Sequence, residues 1–274
     1  MTLSYFLSGC TGITIYIGKK MAVNEIDDYF DLTDPQEEWL EPRLDYHVDH
    51  FRKDTLKEMY HILSESKGLY EDGITEQEVD IVISRFESLS ERELSILLKD
   101  MVIFLAMMDD KQLYHAKKIN KEREKEAQEE IAQDKLLQAK KTEDEKIKNI
   151  IENYEKWYGS LKQRQIEFIA KLYKEDPNQF NVEVKLGPED EFAQKFAEIF
   201  SEKTDPKLRK TRLEDWKNNP AKMVGNFSLK DSFQQIKKNQ RKFPKIDALM
   251  TQEQRKHFIS KIESTMEKIK EYSL

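Results

Sequence analysis

The sequence predicts an all-α protein, an elongated bundle of several helices built around a long charged segment. Three observations carry that prediction. The 274 residues contain only 8 Gly and 7 Pro, and residues with high helix propensity (Lys, Glu, Leu) are abundant. Apolar residues recur at three- and four-residue spacing along most of the chain. Ser/Thr-x-x-Glu phrases, the mark of helix N-termini, stand where apolar runs begin. The 14 Phe, 11 Tyr and 3 Trp suffice for a packed core, so wholesale disorder is not expected. Residues 21–274 are expected to form one helical domain.

Residues 22–34 form a short helix with Ile26, Tyr29 and Phe30 on one face, ending in a turn. Thr33-Asp34-Pro35 opens the next helix, with Thr33 as cap and Pro in the first turn. Its apolar stripe runs through Leu40, Leu44, Val48, Phe51, Leu56, Met59, Tyr60 and Leu63 and breaks near Gly68 and Gly73. Thr75-Glu76-Gln77-Glu78 is a capping box, and the helix it starts carries Val79, Val82, Ile83 and Phe86. Ser90-Glu91-Arg92-Glu93 repeats the device and is expected to start a separate helix through Leu94, Leu98, Val102 and Leu105, the most apolar of the chain and the expected centre of the core.

Residues 109–158 run without Gly or Pro, and residues 117–149 are dominated by Lys, Glu and Gln. The whole segment is expected to form one central helix, roughly 70 Å long. Its apolar positions Ile119, Ala127, Ile131, Leu136, Leu137 and Ile147 are too sparse for a firm heptad seam. A solvated helix laced with ion pairs is one reading; a partner-binding or self-associating coiled coil is the other. Gly159-Ser160 ends this helix and starts the next, through Phe168, Ile169, Leu172 and Tyr173. Further helices are expected through Phe192–Phe200, from Asp205 through Leu208, Leu213 and Trp216, and over 229–241 and 251–272. Trp39, Trp157 and Trp216 stand beside other apolar residues and are read as core.

One phrase recurs at helix starts: Leu32-Thr33-Asp34-Pro35-Gln36, Leu161-Lys162-Gln163-Arg164-Gln165 and Met250-Thr251-Gln252-Glu253-Gln254. Each places an apolar residue before the cap and a Gln three or four residues on. The apolar residue docks the helix start, and the side chains satisfy free N–H groups.

The chain's only cysteine follows Leu7-Ser8-Gly9. Leu7-Ser8-Gly9-Cys10 reads as a lipobox, the site where a bacterial lipoprotein is lipidated on cysteine and cut before it. Residues 1–20 are then a short signal and tether, and the mature chain starts at Cys10. The stretch before Cys10 is apolar and ends in small residues, as processing requires. It has no Lys or Arg and is short for a signal. Either translation starts upstream of Met1, or this is a free cysteine on a short apolar segment. Multiple lipid chains anchor stably at ~0.8 kcal/mol per buried CH₂. No stretch after residue 20 approaches the ~20 apolar residues of a membrane span.

The order of these pieces resembles a family. The Leu-Ser-Gly-Cys start is followed by Ile26-Asp27-Asp28-Tyr29-Phe30-Asp31-Leu32 and Gln36, then by His50-Phe51-Arg52, and later by Trp157-Tyr158-Gly159-Ser160-Leu161 and Gln165. Together they look like the uncharacterised helical lipoproteins of Gram-negative bacteria, a family built on a domain of unknown function. The resemblance spans nearly the whole chain. The chain departs from the pattern in its short signal and in Lys162, where a small polar residue is usual. The resemblance implies a lipid anchor, a place in the cell envelope at the outer membrane facing the periplasm, and no catalytic residues. The Leu-Thr-x-x-Gln phrase is also similar to that of small periplasmic helical chaperones and stress sensors, which implies envelope proteins as partners.

Chemistry is otherwise sparsely signalled. His47 and His50 stand three apart on one helix with Asp45, Asp49 and His61 nearby, a spacing that can share a metal. A metal-dependent hydrolase centred there is the weakest of three readings, after an envelope lipoprotein and a cytosolic coiled-coil scaffold. Glu25, Asp27, Asp28 and Asp31 form an acidic cluster without the glycine and spacing of a calcium loop. No GxSxG, P-loop or GxGxxG phrase occurs. The expectation is therefore a protein with no catalytic residue, no metal and no cofactor. A net charge of −7 disfavours nucleic acid. The oligomeric state is left open.

Overall fold

A computed structural model describes residues 15–180, 205–219 and 229–273. The described residues are helical, with no strand among them. Helix α1 is Ile15–Phe30. Helix α2, Asp34–His50, passes through a π-turn at Phe51–Thr55 into α3, Leu56–Leu69. Then follow α4 (Glu76–Ala106), α5 (Asp110–Lys140), α6 (Glu143–Tyr158) and α7 (Gln163–Glu175), with a 3₁₀ turn at Pro177–Phe180. Helices α8 (Pro206–Asn218), α9 (Leu229–Gln240), α10 (Phe243–Asp247) and α11 (Gln252–Ser273) complete the described chain.

Two expectations about these elements are corrected. The segment 109–158 is two helices, broken at Lys141-Thr142. Thr142 adopts extended backbone and closes a capping box, accepting from Glu145 N at 3.2 Å while Glu145 accepts from Thr142 N at 2.7 Å. Polar propensity alone carries a helix through this stretch; the box stops one and starts another. The second correction concerns Ser90-Glu91-Arg92-Glu93. It starts nothing: α4 runs unbroken through it. Arg92 reaches Glu58 at 2.7 Å and Glu93 lies against His50 at 2.9 Å. The phrase is spent on neighbouring helices, and Leu89 and Leu98 are buried on either side of it.

Among the described residues the interior is two cores strung on α4. The first contains Val79, Val82, Ile83, Phe86 and Leu89 of α4, packed by α3, α6, α7, α9, α10 and α11. Leu63, Ile246 and Ile262 have no exposed surface there; each such side chain contributes about 1.5–3 kcal/mol by leaving water. Tyr158 stacks on Phe258 with ring centres 4.8 Å apart. The second core contains Leu98, Val102, Phe104 and Leu105 of α4. Leu40 of α2, Leu113 of α5, and Leu213 and Trp216 of α8 close it, and Ile26, Phe30 and Trp39 pack on its edge. The expected core centre at residues 94–105 is thus one of two.

The helix expected at 192–200 lies outside the described residues. No described helix is long and apolar enough to cross a membrane.

Candidate functional site: two glutamine clasps and an acidic groove

The recurring helix-start phrase has a common structural role. Gln36 and Gln112 meet side by side in the second core, and Gln165 and Gln254 meet in the first. In the latter pair, Gln165 Nε2 donates to Gln254 Oε1 at 2.8 Å and Gln254 Nε2 returns the bond to Gln165 Oε1 at 3.1 Å. Each amide oxygen also accepts from the N–H of its own cap residue, Lys162 at 2.7 Å and Thr251 at 2.9 Å. Each amide nitrogen also donates to the carbonyl just before the opposite phrase, Leu249 O at 2.8 Å and Ser160 O at 2.9 Å.

The other pair repeats this bond for bond. Gln36 and Gln112 exchange amide bonds at 3.0 and 2.6 Å. Their oxygens accept from Thr33 N and Asp109 N, and their nitrogens donate to Met107 O and Asp31 O, both at 2.8 Å. In all four cases the carbonyl used stands five residues before the partner glutamine.

A glutamine amide has two donor hydrogens and two acceptor lone pairs. Here all are used, so the four glutamines are buried without loss: Gln165 is 0% exposed and Gln36, Gln112 and Gln254 are 5–7% exposed. No other side chain fits. Glutamate supplies no donor at neutral pH, and asparagine is one carbon too short to reach the cap. Each amide faces one backbone N–H and one carbonyl, which fixes its orientation. Methionines line the clasps: Met108 Sδ lies 3.9 Å from Gln36 Nε2 and Met250 Sδ 3.5 Å from Gln165 Nε2.

Three of the four phrases are legible as helix starts in the sequence. The fourth, Met108-Asp109-Asp110-Lys111-Gln112, has the same form, with Asp109 as the cap accepting from Lys111 N and Gln112 N at 2.8 and 2.9 Å. An apolar residue, an acid and a Gln three further on would have found it; Asp at a cap is as good as Thr.

Tight turns serve the same helix junctions. Asp31 follows α1 with φ +54, and Asp27 Oδ1 accepts from Leu32 N at 2.8 Å. The acidic cluster of the N-terminal helix therefore closes a helix end. Gly159 ends α6 with φ +74, a backbone region that glycine enters without steric cost.

The histidines do not converge. His47 Nε2 lies 2.9 Å from Asp100 of α4, and Arg43 approaches the same carboxylate at 3.6 Å. His50 sits between Asp54, 3.0 Å from Nδ1, and Glu93, 2.9 Å from Nε2. The Nε2 contact lies off hydrogen-bond alignment. The pairs tie the end of α2 to α4 beside the π-turn. His61 stands eleven residues beyond His50 along the same helical run, roughly 16 Å at ~1.5 Å per residue, and faces a different groove. Among the described residues no three side chains are placed to hold a metal.

A buried carboxylate organises the first core. Asp247, 1% exposed, accepts from Ile74 N at 3.2 Å and Tyr158 OH at 3.1 Å and pairs with Arg255 at 3.2 Å. Burial pushes its carboxyl above the usual range, against the pull of Arg255. Burial also pushes the Tyr70 hydroxyl well up, with the Asp247 charge adding to it. Lys242 donates to Gln179 O and, at 2.8 Å, to Asn239 O, and lies 4.4 Å from the Phe180 ring. Burial lowers its ammonium to about 8, while Asp176 pulls the other way.

The seam between α3 and α4, on the side away from α11 and α9, is a groove of about 590 Å³ lined mainly by hydrocarbon. Ile62 forms its floor and Ile81, 46% exposed, one wall. Ion pairs Arg85–Glu65 and Arg92–Glu58 cross it. Asp80 borders the groove and makes no ion pair among the described residues.

Comparison with models of protein families, with curated proteins and with solved structures finds no match for this chain. Leu7, Ser8, Gly9 and Cys10 lie outside the described residues.

Proposed function

We propose that this chain is a lipoprotein of the bacterial cell envelope. It is held through lipid on Cys10 at the outer membrane, facing the periplasm, and works by binding proteins in an accessory or chaperone-like role rather than by catalysis. The observation that carries this reading is the helix-start phrase with glutamine three residues after the cap. It occurs four times, its glutamines pair beside both cores, and its Leu32-Thr33-Asp34-Pro35-Gln36 form is similar to the Leu-Thr-x-x-Gln phrase of helical periplasmic chaperones. The Leu-Ser-Gly-Cys segment supports the envelope location.

The test is the mass of the N-terminal peptide from membranes of a bacterial host given the upstream coding region. The reading expects a lipid-modified Cys10 at the N-terminus. An unmodified chain still carrying Met1 to Gly9 would remove the anchor. Protection of an unfolding client, followed by light scattering, tests the binding role.

The second reading is a cytosolic scaffold that self-associates through its charged helix. One observation favours it: Leu136 on α5 is 62% exposed on a helix otherwise rich in Lys and Glu. Loss of self-association in L136D would support it.

A further inference from the structure

The groove between α3 and α4 has a counterpart farther along α4, where α8 packs. The groove itself is acidic. Between Gly68 and Ser84 the chain carries five carboxylates and neither Lys nor Arg. The two arginines that line or border the groove are engaged by Glu65 and Glu58, so Asp80 is the carboxylate of its lining left without an ion pair among the described residues, and the exposed Glu76 stands one helical turn before it on α4. Beside them stands the exposed Ile81.

The first turn of α8 has the complementary chemistry. Leu208 is 44% exposed, and Lys207 and Lys210, also exposed, flank it. Helix α8 is fixed against α4 by Leu213 and Trp216, both buried in the second core, so this basic turn is presented rigidly.

We infer that the α8 turn of one copy of this chain docks into the α3–α4 groove of another, with Leu208 against Ile81 and Ile62, and Lys207 and Lys210 against Asp80 and Glu76. The two surfaces of a single copy cannot meet. The groove lies beside residue 81 of α4 and α8 packs at residues 98–105, roughly 30 Å along one rigid helix. The contact therefore joins unlike surfaces, head to tail, and leaves a groove and a basic turn free at the two ends of every assembly. With Asp80 as the carboxylate left over in its lining, the groove favours a cationic segment over an anionic one. The patch is small beside the interfaces of stable dimers, so association is weak in dilute solution. Copies confined to one surface would meet at a higher effective concentration.

The experiment is sedimentation equilibrium of the full chain from about 10 µM to about 1 mM, a range suited to weak contacts, at low and high salt. The expected result is concentration-dependent association that salt weakens. I81D and L208D each abolish it; both positions are exposed, and thermal melts check that the variants fold. D80K weakens it at least about tenfold, equivalent to about 1.4 kcal/mol. Mixing D80K with K207E/K210E chains restores association between the two, which a nonspecific effect would not do.

A monomer at every concentration overturns the proposal, and so does association that survives both I81D and L208D. If association instead disappears in L136D alone, the charged helix is the interface and the groove is not. If the chain is monomeric yet a leucine–lysine amphipathic peptide binds and I81D removes that binding, the groove takes a foreign cationic segment and the self-docking proposal fails.

Discussion

Replacing Gln165 by alanine tests the clasp directly. The side chain makes four bonds, to Lys162 N, Leu249 O and both polar atoms of the Gln254 amide. Truncation leaves all four partners short of one bond, around a side chain that is itself 0% exposed. A buried group left without its partner costs about 1–3 kcal/mol, and loss of a cap interaction alone about 1 kcal/mol. Water entering the new space recovers part of this. The expected loss is about 3–5 kcal/mol, read as a fall in the urea midpoint at unchanged m-value. Q254A should cost about the same. The double variant Q165A/Q254A should cost well under the sum, by about 1–3 kcal/mol, because the second truncation removes bonds already broken. Q165A and Q36A, in separate cores, should add. Q165E carries the sharper sign. At neutral pH its carboxylate faces Leu249 O and Gln254 Oε1 with no proton to donate, so it should be at least as damaging as Q165A. Acidification restores one donor and should recover stability relative to Q165A. A Q165A loss under about 1 kcal/mol, or full additivity within the pair, would refute the clasp as a coupled unit.

Other expectations concern the first core. A Cβ on Gly73, at φ +97, would stand 2.3 Å from Arg255 Nη1, so G73A should destabilise by about 1–3 kcal/mol. G68A, with open space and helical backbone, should be neutral or stabilising by up to about 1 kcal/mol; thermal melts of the two compare them. The folded state raises the Asp247 pKa, so its contribution to stability falls as pH rises from the ordinary carboxylate value through the raised one. D247N should flatten that slope in urea titrations across the acid range. For Lys242 the sign is reversed. Its folded value is about 8 against 10.5 unperturbed, so the unfolded chain binds more protons between those values. Stability should rise with pH across that window and K242M should remove the rise.

Much of this fold was legible in the sequence because its signals are local. Thr75 and Glu78 form the box their spacing promised, with bonds of 2.8 and 3.2 Å. The apolar stripe of 40–63 became α2 and α3. The π-turn at 51–55 was not visible, since one extra residue in a turn leaves the stripe nearly unchanged. Ser90-Glu91-Arg92-Glu93 misled because a cap phrase and a surface ion-pair phrase are spelled alike; only the burial of Leu89 and Leu98, a matter of partners remote in sequence, separates them. The same limit applies to the clasps. The phrase could be read as a helix start, but that Gln36 would face Gln112, or Gln165 face Gln254, is long-range information. So is the groove, whose walls come from two helices whose periodicity marks only their buried faces.

The reciprocity of the clasp bears on the order of assembly. Each glutamine is only half of a closed set of bonds, and a half left in a dry core is an orphan. Gln36 waits for Gln112, 76 residues on, and Gln165 for Gln254, 89 residues on. Closing either loop costs nearly the same chain entropy, since that cost grows only with the logarithm of length. Neither core can therefore dry out around its first glutamine during synthesis or early collapse. The amide stays wet until the second helix start arrives in register, and a slip by one residue leaves it wet still. The clasps act as late checkpoints, admitting the final expulsion of water only from chains whose distant helix starts are already correctly placed.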